Sequence, residues 1–249
     1  MPIQAVTIDF WNTLYDSSGG EGRDAERARV VLHHAERLGQ PIQLAALKAA
    51  QKAAWEHFNR VWREEHRTPP TRTMVEFYWR ELGVNADAEA IDGVTHIFSE
   101  GVLNHPPSLL TGVAEALEEL TRVLGMKHIA LISDTAFSPG RVLRQIMERD
   151  GIAQYFNVFS FSDETGVSKP NPLAYQTALV GAPCTLAASV HIGDIERTDI
   201  AGAKALGMKA ILFAGDPKNQ MNDEHAHAPT QADAKADTWQ HVVEIIRDL

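Results

Sequence analysis

The chain has 249 residues, 44% of them apolar and 22% charged, which describes a globular chain of one large domain or two modest ones with room for a sizeable core. A formal net charge of −10, with no run of Lys or Arg, argues against nucleic-acid or anionic-membrane partners, since both require a concentrated basic surface. The single cysteine, Cys184, has no partner for an internal disulfide and no zinc-type Cys/His spacing around it, the opening "MPIQAVTIDF" lacks signal-peptide patterning, and no stretch is long and apolar enough to span a membrane, so a cytoplasmic setting is expected.

In chain order, Ile3 to Asp9 form the first expected strand: short, carrying β-branched Ile3, Val6, Thr7 and Ile8, and ending in the turn "DFWNT", Asp9 to Thr13. Between roughly residues 16 and 106 helical periodicity takes over. Helices are expected from about Asp24 to Leu38 and from Ala88 to Leu103. Between them lie two with aromatic faces, one carrying Trp55, Phe58, Val61 and Trp62 and one carrying Val75, Tyr78, Trp79 and Leu82, with "RTPPT" (Arg67 to Thr71) as the corner. Aromatics at helical spacing are usually packing, so Trp55, Trp62 and Trp79 read as bundle core, and Arg60, Arg63 and Arg67 read as a solvated face rather than an anion contact.

Short buried strands then alternate with helices: His128 to Ser133, Asn157 to Phe161, Ser189 to Asp194 and Lys209 to Ala214. That alternation is the pattern of a parallel sheet covered on both faces. Ser138-Pro139 and Asn171-Pro172 read as helix starts, and Gly151 and Gly207 as helix ends. The polar stretch Gly215 to Asp237 reads as a surface excursion; its His225 and His227 form an H-x-H pair with no evident third metal ligand. An amphipathic helix, "TWQHVVEIIRDL", closes the chain.

Polar groups therefore stand at the carboxyl ends of separate elements: Asp9, Ser133, Lys169, and the pair Asp194 and Asp199. In an open parallel sheet ligands bind outside those ends, so one crevice is expected to collect them. Taken singly, each has a bland reading as a cap, a turn former or a solvated lysine.

In order, "DFWNT", "ALISD", "GVSKPNP" and "GDIERTD" resemble the four motifs of the haloacid dehalogenase (HAD) superfamily, in its branch with a helical cap inserted after the first motif. The resemblance covers nearly the whole chain. It implies a Rossmann-like, doubly wound α/β core made of residues 1–15 and 107–249, with residues 16–106 as an α-helical cap. It further implies Asp9 as nucleophile and Ser133 and Lys169 as its catalytic partners, stabilising the transferring group. Mg²⁺ would be held by Asp9, Asp194 and the carbonyl of Trp11 with Asp199 in support. Trp11, Asn12, Thr13 and Asp134 would surround a small, phosphorylated substrate.

The sequence departs from the family pattern at Trp11, where phosphatases carry a second Asp that protonates the leaving group, and at Asp134, where relatives often have Asn. Indole does not titrate usefully, so leaving groups that need no proton are expected: acyl phosphates, phosphoanhydrides or aryl phosphates. A phosphohydrolase or phosphotransferase is the leading expectation. A 2-haloacid dehalogenase, which has no use for the acidic pair, and a non-catalytic binding or regulatory module are the alternatives.

Overall fold

The computed structural model describes residues 2–216 and 229–249; His225 and His227 lie outside the described residues. Its six strands are β1 (Ala5–Ile8), β2 (His128–Ser133), β3 (Val158–Phe161), β4 (Ser189–Gly193), β5 (Lys209–Phe213) and β6 (Ala234–Ala236). They form one sheet in the order β3-β2-β1-β4-β5-β6, every pair parallel. This is the doubly wound α/β order that the alternation of elements implied, with its switch point between β1 and β4.

The central strands are continuous apolar runs because both faces are covered: every residue of β1, β2 and β4 is buried. Along β2, Ile129 and Leu131 point into one apolar layer and Ala130 and Ile132 into the other, as the two-residue period of a strand requires. The first layer is covered by α5 (Val113–Arg122), α6 (Gly140–Arg149) and α10 (Trp239–Asp248), the second by α8 (Pro172–Ala178) and α9 (Ala201–Ala205). The four-residue α7 (Ser162–Thr165) follows β3.

Between β1 and β2 run α1 (Gly20–Arg37), α2 (Leu44–Glu65), α3 (Thr71–Glu81) and α4 (Ala88–Asn104). They bury their own apolar cluster, with Val31, Phe58, Trp62, Tyr78, Trp79 and Phe98 in it, and the loop after β2 contributes Phe137. The chain leaves and re-enters through two connections tied together. The Asp16 carboxylate accepts from the Ser108 amide at 2.8 Å, and Arg23 donates to the carbonyls of Ser18 and His105 at 2.9 and 2.6 Å. Among the described residues no helix is long and apolar enough to cross a membrane.

Two local readings change. β6 lies inside the stretch expected to be a surface excursion; Ala-Lys-Ala has little strand propensity, and its pairing with β5 is what makes it a strand. Helix α6 begins after Pro139 rather than at Ser138, because the Asp163 carboxylate accepts from the Gly140 amide at 3.1 Å and caps the helix from outside. The Asn171 cap stands: its side chain accepts from the Leu173 amide at 3.0 Å ahead of Pro172. Gly151 and Gly207 follow their helices at φ 71° and 78°.

Candidate active site

Asp9 follows β1 directly, and its amide donates to the Ile192 carbonyl at 2.9 Å, so it is held beside the end of β4, where Asp194 follows. Both carboxylates are buried. The turn that begins at Asp9 is closed by amides of Leu14 and Tyr15 donating to the Phe10 carbonyl, with Asn12 at φ 55°. That left-handed conformation suits Asn and turns its side-chain amide to Asp194 Oδ2 at 3.3 Å.

Lys169 reaches this edge from the loop before α8. Its buried ammonium donates to Asp9 Oδ1 and, at 2.7 Å, to Asp199 Oδ1. Asp199 in turn accepts from His191 Nε2 at 3.0 Å, from the Ile195 amide at 2.9 Å and from the Thr198 hydroxyl at 3.3 Å. The Asp199 carboxylate only accepts, so the buried, neutral His191 ring carries its proton on Nε2, leaving Nδ1, 2.8 Å from the Thr7 hydroxyl, as an acceptor. Gly193 is required here, since a Cβ on it would collide with the Asp199 carboxyl.

These contacts drive the two acids apart. Burial opposes ionisation of Asp199, but Lys169 and then His191 override it and hold the carboxyl below the usual range. Burial pushes Asp9 well above that range; Lys169 works against the rise, and Asp199 and Asp194 add to it. The Lys169 ammonium keeps its proton because Asp199, Asp9 and Asp134 outweigh its own burial.

Ser133, the last residue of β2, is buried, and its hydroxyl has no hydrogen-bond partner among the described residues. Such an orphan costs about 1–3 kcal/mol unless a ligand takes it up. The Asp134 carboxylate accepts from the Lys169 amide at 2.9 Å and from the Trp62 indole at 2.8 Å, joining α2 to the sheet edge. Its carboxyl is pushed up by burial, against the pull of Lys169 and Trp62. Asp9, Ser133, Lys169, Asp194 and Asp199 therefore meet at one sheet edge, as their motifs implied.

A cavity of about 350 Å³ opens beside them. Trp11, Asn12 and Asp134 line it from the core, together with Phe137; α1 and α2 contribute Arg23, Arg27 and Trp55. Thr13 does not reach it: the residue is fully buried, and its carbonyl accepts from the Trp239 indole at 2.9 Å. Arg60 and Arg67 lie away from the cavity, on His57 and Glu65. Sequence reasoning missed Arg23, Arg27 and Trp55 as lining residues. It also missed His191, a polar residue inside an apolar strand, which was the available signal.

A family model described as haloacid dehalogenase-like hydrolase covers residues 3–207, and the chain belongs to that family. It is 35% identical over 158 residues to bovine haloacid dehalogenase-like hydrolase domain-containing protein 3, 61% of each chain. It is also 29% identical over 141 residues to a ribulose-1,5-bisphosphate 5-phosphatase of Halopiger xanaduensis, 56% of this chain and 57% of that one. The chain thus spans about three fifths of the length of these curated relatives. Among solved structures, a 2-haloacid dehalogenase from Pseudomonas syringae superposes with TM-score 0.67 at 22% identity, and a magnesium-bound HAD hydrolase, YfnB of Bacillus subtilis, with TM-score 0.65 at 17%; both are covered to 99%, as is this chain. At those identities they speak to the fold alone.

Proposed function

We propose that the protein is a Mg²⁺-dependent phosphohydrolase or phosphotransferase that works through an aspartyl-phosphate on Asp9, acts on small phosphorylated molecules in the cytoplasm, and uses residues 16–106 as a cap over a core of residues 1–15 and 107–249. The observation that carries this reading is Lys169 bridging Asp9 and Asp199 in a buried site that also holds an orphaned Ser133 hydroxyl. An anion attacking an anion needs a fixed positive charge at the point of attack, and the lysine supplies one. The phosphatase relative from Halopiger xanaduensis and a pyrimidine 5'-nucleotidase, YjjG of Escherichia coli, 27% identical over 143 residues, support phosphoryl over halide chemistry.

The donor set fits a hard cation: Asp9 and Asp194 offer carboxylate oxygens at neighbouring strand ends, and the Trp11 carbonyl would be the third ligand. Among the described residues no three His, Cys, Asp or Glu side chains gather as a ready cage, so waters would complete the shell. Asp199 serves indirectly, because both its oxygens are already committed. When bound, Mg²⁺ supplies positive charge against the nucleophile and the phosphoryl oxygens.

In the first step an Asp9 oxygen bonds to phosphorus and the bond from phosphorus to the leaving oxygen breaks, its electron pair departing with that oxygen. The Ser133 hydroxyl donates to a phosphoryl oxygen and Lys169 offsets charge. Water then bonds to phosphorus, the Asp9–phosphorus bond breaks, the carboxylate is restored, and the water's proton passes to solvent. Trp11 gives the departing oxygen no proton.

The test is a screen of alkyl, aryl and acyl phosphates and 2-haloacids, with Mg²⁺ and with EDTA. Turnover should require Mg²⁺, vanish in Asp9→Asn, and fall as the leaving group's pKa rises; Trp11→Asp should flatten that dependence. Chloride release indifferent to EDTA would make the protein a dehalogenase. Mg²⁺ binding without turnover on any compound would make it a binding module.

A further inference from the structure

We propose that the cavity is a slot for a flat ring, so that the substrate is an aryl or heteroaryl phosphate monoester. The substrate assignment rests on the phosphohydrolase reading; the ring slot does not. At about 350 Å³ the space exceeds what a phosphoryl group needs and falls in the range of small-molecule sites.

Its walls carry rings and charges of both signs, Arg23 and Arg27 standing with Asp24 and Asp134. Trp11 comes from the nucleophile's own turn, Phe137 from the loop after β2 and Trp55 from α2. The Arg23 guanidinium lies 5.8 Å from the centre of the Trp11 ring, and that of Arg27 lies 5.0 Å from the centre of Phe137. Two carbonyls fix Arg23 in place, and Asp24 pairs with Arg27 at 3.3 Å. Trp55 is only half-buried, whereas the other bundle tryptophans, Trp62 and Trp79, are 6% and 2% exposed. A large ring kept partly open at a cavity wall is what a stacking partner would cover.

The chemistry of the first step narrows the class independently. With Trp11 at the donor position, the P–O bond must break without protonation, and an aryl oxide leaves with its electron pair far more readily than an alkoxide. The negative charge that develops spreads into a ring lying beside two guanidiniums. Aliphatic acyl phosphates also leave unaided, but they would leave the half-buried Trp55 uncovered. An aryl ester uses both the missing acid and the ring-lined wall, because the ring itself carries the leaving oxygen.

Binding of two non-hydrolysable probes, measured by calorimetry with Mg²⁺ present, tests the slot without needing turnover. Benzylphosphonate and cyclohexylmethylphosphonate carry the same anion on a flat and on a puckered ring. Benzylphosphonate should bind about five- to tenfold more tightly, Trp55→Leu should erase the difference, and Trp55→Phe should keep most of it. Equal binding by wild type, or a difference that survives Trp55→Leu, overturns the proposal; should Trp55→Leu fail to fold, the wild-type comparison decides. Phenyl phosphate set against a fluoroalkyl phosphate of matched leaving-group acidity then asks whether the slot serves catalysis, and kcat/KM should favour the aryl ester by a similar factor. Selective benzylphosphonate binding with no hydrolysis of any ester sinks the hydrolase reading and leaves the slot standing. Hydrolysis with no ring selectivity does the reverse.

Discussion

The sheet edge and the cavity wall border the same space but are held by different forces. At the edge every ionisable group is locked by charge-assisted bonds: Lys169 between Asp9 and Asp199, and His191 behind Asp199. On the wall the arginines rest against ring faces and backbone carbonyls, with one ion pair from Arg27 to Asp24, and the rings rest on one another, Trp55 and Phe137 with centroids 5.0 Å apart. Strand ends fix charges to within a hydrogen bond, which chemistry needs; packed rings tolerate variation, which selectivity exploits. Changes at the edge should therefore abolish turnover with large stability effects of either sign, and changes on the wall should move preference with little else.

The largest effect is expected from Lys169→Met, which leaves Asp9 and Asp199 buried without a counter-charge. Turnover should disappear, and denaturant melts near neutral pH should show a loss of about 3–5 kcal/mol. Asp199 has a depressed native pKa, so its contribution is complete above the ordinary carboxylate range and is lost as pH falls through that native pKa. The gap between the two proteins should accordingly narrow in acid. A gap independent of pH would mean that the lysine acts by packing alone.

Asp9→Asn should separate activity from stability. A carboxyl whose native pKa is raised costs the fold free energy once pH exceeds its unfolded value, so at neutral pH its removal should stabilise the protein. A gain of about 1 kcal/mol, or roughly 2–4 °C in Tm, is expected in calorimetry alongside complete loss of turnover. A destabilised variant would show that the pair with Lys169 outweighs burial and crowding.

Trp62→Phe sharpens the contrast where the two regions touch. It keeps a ring beneath the Arg197 guanidinium, now 4.4 Å from the indole, removes the bond to Asp134 and leaves a small cavity beside Phe58. Stability should fall by about 1–3 kcal/mol. Smallest of all, Arg60→Ala on the exposed face of α2 should change stability by no more than about 0.5 kcal/mol and leave kinetics unchanged. A marked rise in KM would bring that face into substrate contact.

Much of this was legible in the chain. Apolar runs ending in Asp9, Ser133 and Asp194 specified buried parallel strands, and parallel strands bring their ends to one edge. The wall was harder. Helical periodicity identifies the apolar side of a helix but not which polar residues at its margin border a cavity, so Arg23 and Arg27, one turn apart on α1, resembled any solvated pair, while Arg60, Arg63 and Arg67 drew notice for their clustering. Trp55 read as core because its spacing matches that of Phe58 and Trp62; its place at a cavity that α1, α2 and Phe137 line leaves it half-open. Thr13 read as part of the substrate turn, yet the indole of Trp239 holds that residue's backbone in the interior.

That last contact bears on how the protein comes into being. The Thr13 carbonyl and the Trp239 indole are separated by 226 positions, and β1 is wedged between β2 and β4, which are made much later. Closing such long loops is slow, so a growing chain carries Asp9 well before β2 and β4 but cannot seat it until both strands have been made. The Asp9 turn is made before the strands that flank it, and a chain lacking α10 would retain every motif while lacking the bond that anchors the turn.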